Sequence, residues 1–168
     1  AIQMAKAAGA HVLASSRGAD KAARTRALGA DVSVDTSTME FGAIAKEHGG
    51  IDVALDMVGE PTFDATLDAL NPKGRIVYIA TLGGPTLEVP VMQLMQKQAV
   101  ITGSTLRPRP VAFKAAIAAS LRARVWPLLD NGSIQPVIHQ VFPASEAALA
   151  HTLMESNQHI GKLVLSWA

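Results

Sequence analysis

The residues with the clearest chemistry stand together in Val12-Leu13-Ala14-Ser15-Ser16-Arg17-Gly18-Ala19-Asp20-Lys21. An apolar run passes directly into two hydroxyls, a guanidinium and, four residues after Arg17, an ammonium. Hydroxyls donate hydrogen bonds, an arginine fork grips two oxygens of a phosphate or carboxylate, and a lysine adds a point charge. Such a set at a strand end is a local anion site. No global field accompanies it: 15 Lys and Arg stand against 14 Asp and Glu, a net charge of +1. Neither nucleic acid nor an anionic membrane is therefore expected as a partner.

The elements that position this set alternate along the chain. Lys6-Ala7-Ala8-Gly9-Ala10-His11-Val12-Leu13 and Arg26-Ala27-Leu28-Gly29-Ala30-Asp31-Val32-Ser33-Val34 each read as helix end, glycine cap and short strand. A weak helix is expected over Ser37 to His48, a strand over Ile51 to Gly59, and a helix over Thr62 to Leu70 with Pro61 in its first turn. A strand over Arg75 to Ala80 ends in Thr81-Leu82-Gly83-Gly84. Leu87 to Val91 reads as a short edge strand because it carries Pro90, and Gln98 to Ser104 reads as another strand. Beyond these, a long helix from Val111 to about Leu129, a strand near Ile134 to Val141, a helix from Ser145 to Glu155 and a strand from Lys162 to Ser166 complete the pattern.

Strands alternating with helices imply an α/β fold, a doubly wound, Rossmann-like parallel sheet covered on both faces. Ligands bind such sheets outside the carboxyl ends of the strands, so residues 14–17, 34–36, 56–60, 80–84 and 104–107 are expected at one edge. Where an NAD-binding fold carries an acid after its second strand, this chain has Ser15, Ser16 and Arg17, which suit the 2′-phosphate of NADPH. Ala1 to Gly9 reads as the body of a helix without a start, so the chain is expected to be part of a longer protein. The segment left out would include the first strand and the Gly-rich pyrophosphate turn, and the two strands flanking the missing one would be exposed. The proline-bearing edge strand at Leu87 to Val91 also makes a homodimer through edge strands an expectation.

Several blocks in order carry a resemblance: Ala1-Ile2-Gln3-Met4-Ala5-Lys6-Ala7-Ala8-Gly9-Ala10, Lys21, Leu28-Gly29-Ala30-Asp31, Asp56-Met57-Val58-Gly59, Gly74-Arg75-Ile76-Val77, Gly103-Ser104-Thr105-Leu106-Arg107 and Gly161-Lys162-Leu163-Val164-Leu165. The chain resembles the medium-chain dehydrogenase/reductase superfamily, and most closely its zinc-free NADPH:quinone oxidoreductase branch of the p53-inducible type. The resemblance runs from the first helix to the C-terminus. It implies that Ser16, Arg17, Gly18 and Lys21 hold the 2′-phosphate and that Met57 lies beside the adenosine. It places Ile79, Ala80, Thr81 and Leu82 by the nicotinamide ribose and Ser104, Thr105 and Leu106 at the carboxamide. Asn157 or His159 falls near the cofactor phosphates. Thr36 stands where the family often has a tyrosine, which weakens that contact. The resemblance also implies two parts, an NADP-binding domain over 1–106 and a C-terminal α+β segment over 107–168 that would pack on an absent catalytic lobe. Without that lobe the apolar face of the second part is expected to be exposed.

Other chemistries find less in this chain. A short-chain dehydrogenase needs a tyrosine with a lysine four residues on, but Leu82 follows the only tyrosine, Tyr78, at that spacing. The absence of cysteine excludes disulfides, thiolate ligation and cysteine nucleophiles within the chain. His11, His48, His139, His151 and His159 form no i, i+4 pair, so no metal site is expected. No serine has an attendant base. No apolar run reaches the roughly 18 residues that span a bilayer, and a cytoplasmic protein without a membrane partner is expected. The resulting expectation is the cofactor-binding part of an NADPH-dependent oxidoreductase that reduces quinones or α,β-unsaturated carbonyls, the isolated chain itself being inactive and its catalytic residues lying elsewhere. The alternatives are a fragment of a zinc-dependent alcohol dehydrogenase and a non-catalytic nucleotide-binding or crystallin-like protein on the same fold.

Overall fold

The computed structural model describes residues 1–167. Ala168, the last residue of the expected 107–168 segment, lies outside the described residues. The order is α1 (Ile2–Ala7), β1 (Leu13–Ser16), α2 (Ala19–Ala27), β2 (Val32–Asp35), α3 (Phe41–Glu47), β3 (Ile51–Asp56), α4 (Glu60–Ala69), β4 (Leu70–Tyr78), α5 (Val91–Lys97) and β5 (Val100–Gly103). It continues with α6 (Val111–Arg124), α7 (Trp126–Asp130), β6 (Ile138–Pro143), a 3-10 turn (Ala144–Glu146), α8 (Ala147–Glu155) and β7 (Lys162–Ser166).

The strands form three parallel sheets of order β1-β2, β3-β4-β5 and β6-β7. The fold is α/β and Rossmann-like. Among the described strands β4 alone has two paired neighbours. β2 alternates, burying Val32 and Val34, while α2 packs on both strands of the pair and buries Ala22.

The largest buried cluster sits on the three-stranded sheet. Phe63 and Leu67, one helical turn apart on α4, meet Leu70 and Ile76 of β4, and all four are at most 2% exposed. Each such side chain contributes roughly 1.5–3 kcal/mol by leaving water. Ala54 and Ile101 pack against the same cluster from β3 and β5. The opposite face differs from the expectation of a sheet covered on both sides: Val53 and Leu55, which alternate with Ala54, are 62% and 50% exposed.

Two local expectations are corrected. Residues 87–90 form no strand; Leu87 and Val89 instead lay alternate side chains on the α4/β4 cluster, which produces a strand-like pattern without a paired strand. The expected helix to Leu129 is divided at Val125, because Pro127 occupies the first turn of α7 and cannot donate within a continuous helix.

The C-terminal part is a β-turn-α-β unit holding Phe142 and Ala150 buried. The close turn into β7 requires glycine: Gly161 has φ +105°, and a Cβ there would collide with the Val137 carbonyl. α6 buries no residue, and Phe113, Ile117 and Leu121 form an exposed apolar stripe at i, i+4 spacing. No helix among the described residues is long and apolar enough to cross a membrane.

Candidate functional site

Apart from Asn157 and His159, the expected site residues fall into groups at the carboxyl ends of the first two sheets. In the first, Ser16 closes β1 and pairs in register with Asp35, the last residue of β2. The Thr36 amide donates to the Ser16 carbonyl at 2.9 Å, and the Thr36 hydroxyl approaches the same oxygen at 3.3 Å. Gly18, with φ 97° and ψ 144°, turns the chain from β1 into α2, and its carbonyl accepts the Ala22 amide. Arg17 is exposed between these two anchored residues. The Ser16 hydroxyl is buried and has no hydrogen-bond partner, although a buried hydroxyl is costly unless it finds one.

Lys21, in the first turn of α2, reaches across to the C-terminal unit. Its Nζ donates to the carbonyl and the side-chain oxygen of Asn157 at 2.7 and 3.0 Å. Asn157 lies between α8 and β7 with φ 56°. His159, two residues later, has a buried Nδ1 without a partner and meets His139 edge-on at 6.4 Å. Lys21 and Asn157 are thus joined although 136 residues separate them.

The second group surrounds the turn after β3. Asp56 accepts the amides of Val58 and Gly59 on Oδ1, at 2.6 and 3.0 Å, and the Thr62 hydroxyl on Oδ2 at 2.7 Å. This carboxylate fixes the start of α4, where donors without helical partners favour a negative charge. The Met57 carbonyl accepts the Leu82 amide, and Val58 accepts Gly83. Ile79 donates to Asp56 and Ser104 to Tyr78, so Met57, residues 79–82 and Ser104 meet along one edge. Ile79, Ser104, Thr105, Leu106, Arg107 and Pro108 line an open cavity of about 640 Å³. Ala80 is half-buried and Thr81 exposed.

Sequence reasoning did not single out two residues of this edge. The Tyr78 hydroxyl is buried without a partner, and burial together with the charge of Asp56 pushes its pKa up to about 12. Asp35 accepts the Ser37 hydroxyl, the Ser37 amide and the Gly18 amide, which hold its carboxyl below the usual carboxylate range. Position at a strand end was the available signal for both.

Among the described residues no group of three His, Cys, Asp or Glu could hold a metal ion. Zinc therefore does not fit the residues present here. A phosphorylated nucleotide does fit the donor set of the first group: an unpartnered hydroxyl, a guanidinium and an ammonium.

The sequence profile of the family described as zinc-binding dehydrogenase matches residues 1–122. A quinone oxidoreductase of Pseudomonas aeruginosa is 30% identical over 172 residues, covering 98% of this chain and 51% of that protein. The quinone oxidoreductase of Thermus thermophilus, solved also with NADPH, superposes with a TM-score of 0.84 at 30% identity, over 98% of this chain and 52% of that one. An NAD-dependent alcohol dehydrogenase superposes with a TM-score of 0.80 at 30% identity, over 99% and 47%. The chain spans about half the length of several curated relatives that it matches along its whole length.

Proposed function

We propose that this chain, which belongs to the zinc-binding dehydrogenase family, is the NADPH-binding part of an oxidoreductase that reduces quinones or α,β-unsaturated carbonyls. The observation that carries this reading is the buried, unpartnered Ser16 hydroxyl at the end of β1, followed by Arg17 and then Lys21 one turn into α2. No acid stands among Ser15, Ser16, Arg17 and Gly18 to hold a free ribose hydroxyl, which argues against NAD as the cofactor.

In this reading Ser16, Arg17 and Lys21 hold the 2′-phosphate, with Gly18 and Thr36 shaping the turn and Asn157 orienting the ammonium of Lys21. Met57 lies beside the adenosine, and residues 79–82 together with Ser104, Thr105 and Leu106 orient the nicotinamide end. His159 offers a further donor or acceptor near the phosphates. When bound, NADPH supplies the hydride, and the protein's part is to bind, orient and shelter it. Residues 1–106 form the cofactor-binding domain and residues 107–168 the part that faces the rest of the protein. The protein works in the cytoplasm without zinc and pairs as a homodimer along sheet edges.

The test is NADPH oxidation on addition of 1,4-naphthoquinone, using this chain extended upstream to the length of its relatives. Quinone-dependent oxidation that survives a zinc chelator is expected. Oxidation abolished by the chelator, or none in a protein that binds NADPH, contradicts the reading.

A further inference from the structure

The three hydrogen bonds gathered on one oxygen of Asp35 concern the shape of the phosphate turn. Oδ1 accepts the Gly18 amide at 2.8 Å, the Ser37 amide at 2.9 Å and the Ser37 hydroxyl at 2.6 Å. Gly18 begins α2 with a backbone conformation that an L side chain rarely adopts, so the turn needs an external hold. One residue further on, the Thr36 amide fixes the Ser16 carbonyl. Consecutive residues at the end of β2 therefore pin both sides of Arg17, while the Ser16 hydroxyl remains without a partner.

We infer that Asp35 is a positioning residue for nucleotide choice, which ties down the Gly18 amide so that Ser16 and Arg17 converge on a phosphate monoester. The inference rests on the NADPH reading and adds the residue that sets the selective geometry. It also makes an uncommon prediction about charge. A carboxylate beside a phosphate site repels the ligand, so if charge were its main effect, removing it would strengthen phosphate binding. If Asp35 acts by holding Gly18, loss of the acceptor weakens phosphate selection despite the relief of repulsion. The amide oxygen of asparagine can still accept the Gly18 amide, the bond on which the inference depends.

The experiment compares 2′,5′-ADP with 5′-AMP by isothermal titration to the chain extended upstream to the length of its relatives and to its variants, with circular dichroism as a control for folding. Wild type is expected to favour 2′,5′-ADP. Asp35→Asn should keep or enlarge that preference, and Asp35→Ala should reduce it roughly tenfold, the scale of one charge-assisted hydrogen bond. Asp35→Glu, which keeps the charge but displaces the oxygen by one methylene, should reduce it too and serves if the alanine variant does not fold. Equal binding of both probes by wild type defeats the NADPH reading itself, and this inference with it. Selection by wild type that persists in Asp35→Ala or Asp35→Glu, or is lost in Asp35→Asn, overturns the inference alone. A residue that only stabilised the fold would weaken both probes together and leave their ratio unchanged.

Discussion

Replacing Asp56 by alanine removes the acceptor on which the turn between β3 and α4 is built. Three donors lose it: the Val58 and Gly59 amides and the Thr62 hydroxyl. A hydrogen bond to a charged group is worth about 1.5–3 kcal/mol. The turn is only part-buried, so water recovers part of each loss, and a total of about 3 kcal/mol is expected. For a domain of this size that lowers Tm by about 6–12 °C. Thr62→Val deletes one of the three donors and should cost about 1 kcal/mol. Asp56→Asn keeps an oxygen for the two amides and should resemble Thr62→Val. Thermal unfolding followed by circular dichroism at neutral pH measures all three. A fall of less than about 2 °C in Asp56→Ala, or equal losses in Asp56→Ala and Thr62→Val, would refute the account of this turn.

The core and the glycine turns make separate predictions. Leu67 is fully buried between α4 and β4, so Leu67→Ala should destabilise by about 2–5 kcal/mol, read as a lower urea midpoint with an unchanged slope. Gly18 and Gly161 have similar positive φ, but a Cβ at Gly18 meets open space whereas one at Gly161 meets the Val137 backbone. Gly18→Ala should therefore cost about 1–3 kcal/mol from backbone strain alone, and Gly161→Ala clearly more; equal urea midpoints would contradict this. Asp31 is held at a pKa of about 2, below its ordinary 3.8, by the Lys6 ammonium and the Val12 amide. A lowered folded-state pKa stabilises above the unfolded value, and this contribution is lost as pH falls from about 3.8 through 2. Lys6→Met should accordingly lower Tm at pH 7 and lose most of that difference at pH 2, whereas an undiminished difference at pH 2 would argue against the pair.

The βα rhythm was readable because glycine caps and β-branched runs are local signals, and the turns at Gly18, Gly59 and Gly161 all have positive φ. Leu87 to Val89 misled because alternation reports which side chains are covered, and a segment can cover a cluster without pairing to a strand. The strand ends were placed by the rule for parallel sheets, yet the role of Asp35 was not legible, since its partner Gly18 lies 17 residues away. The tie between Lys21 and Asn157 was hidden more deeply, because only the folded chain joins α2 to the loop before β7. Tyr78 was legible as a strand residue, but its unpartnered hydroxyl is a property of packing.

The most direct test of the central claim is the affinity for NADPH against NADH of the upstream-extended chain, alongside the Arg17→Ala, Lys21→Ala double variant. NADPH should bind tighter to the wild type, and the double substitution should bring the two affinities together. Equal binding of NADPH and NADH by the wild type would show that Arg17 and Lys21 do not select a 2′-phosphate and that the cofactor assignment is wrong.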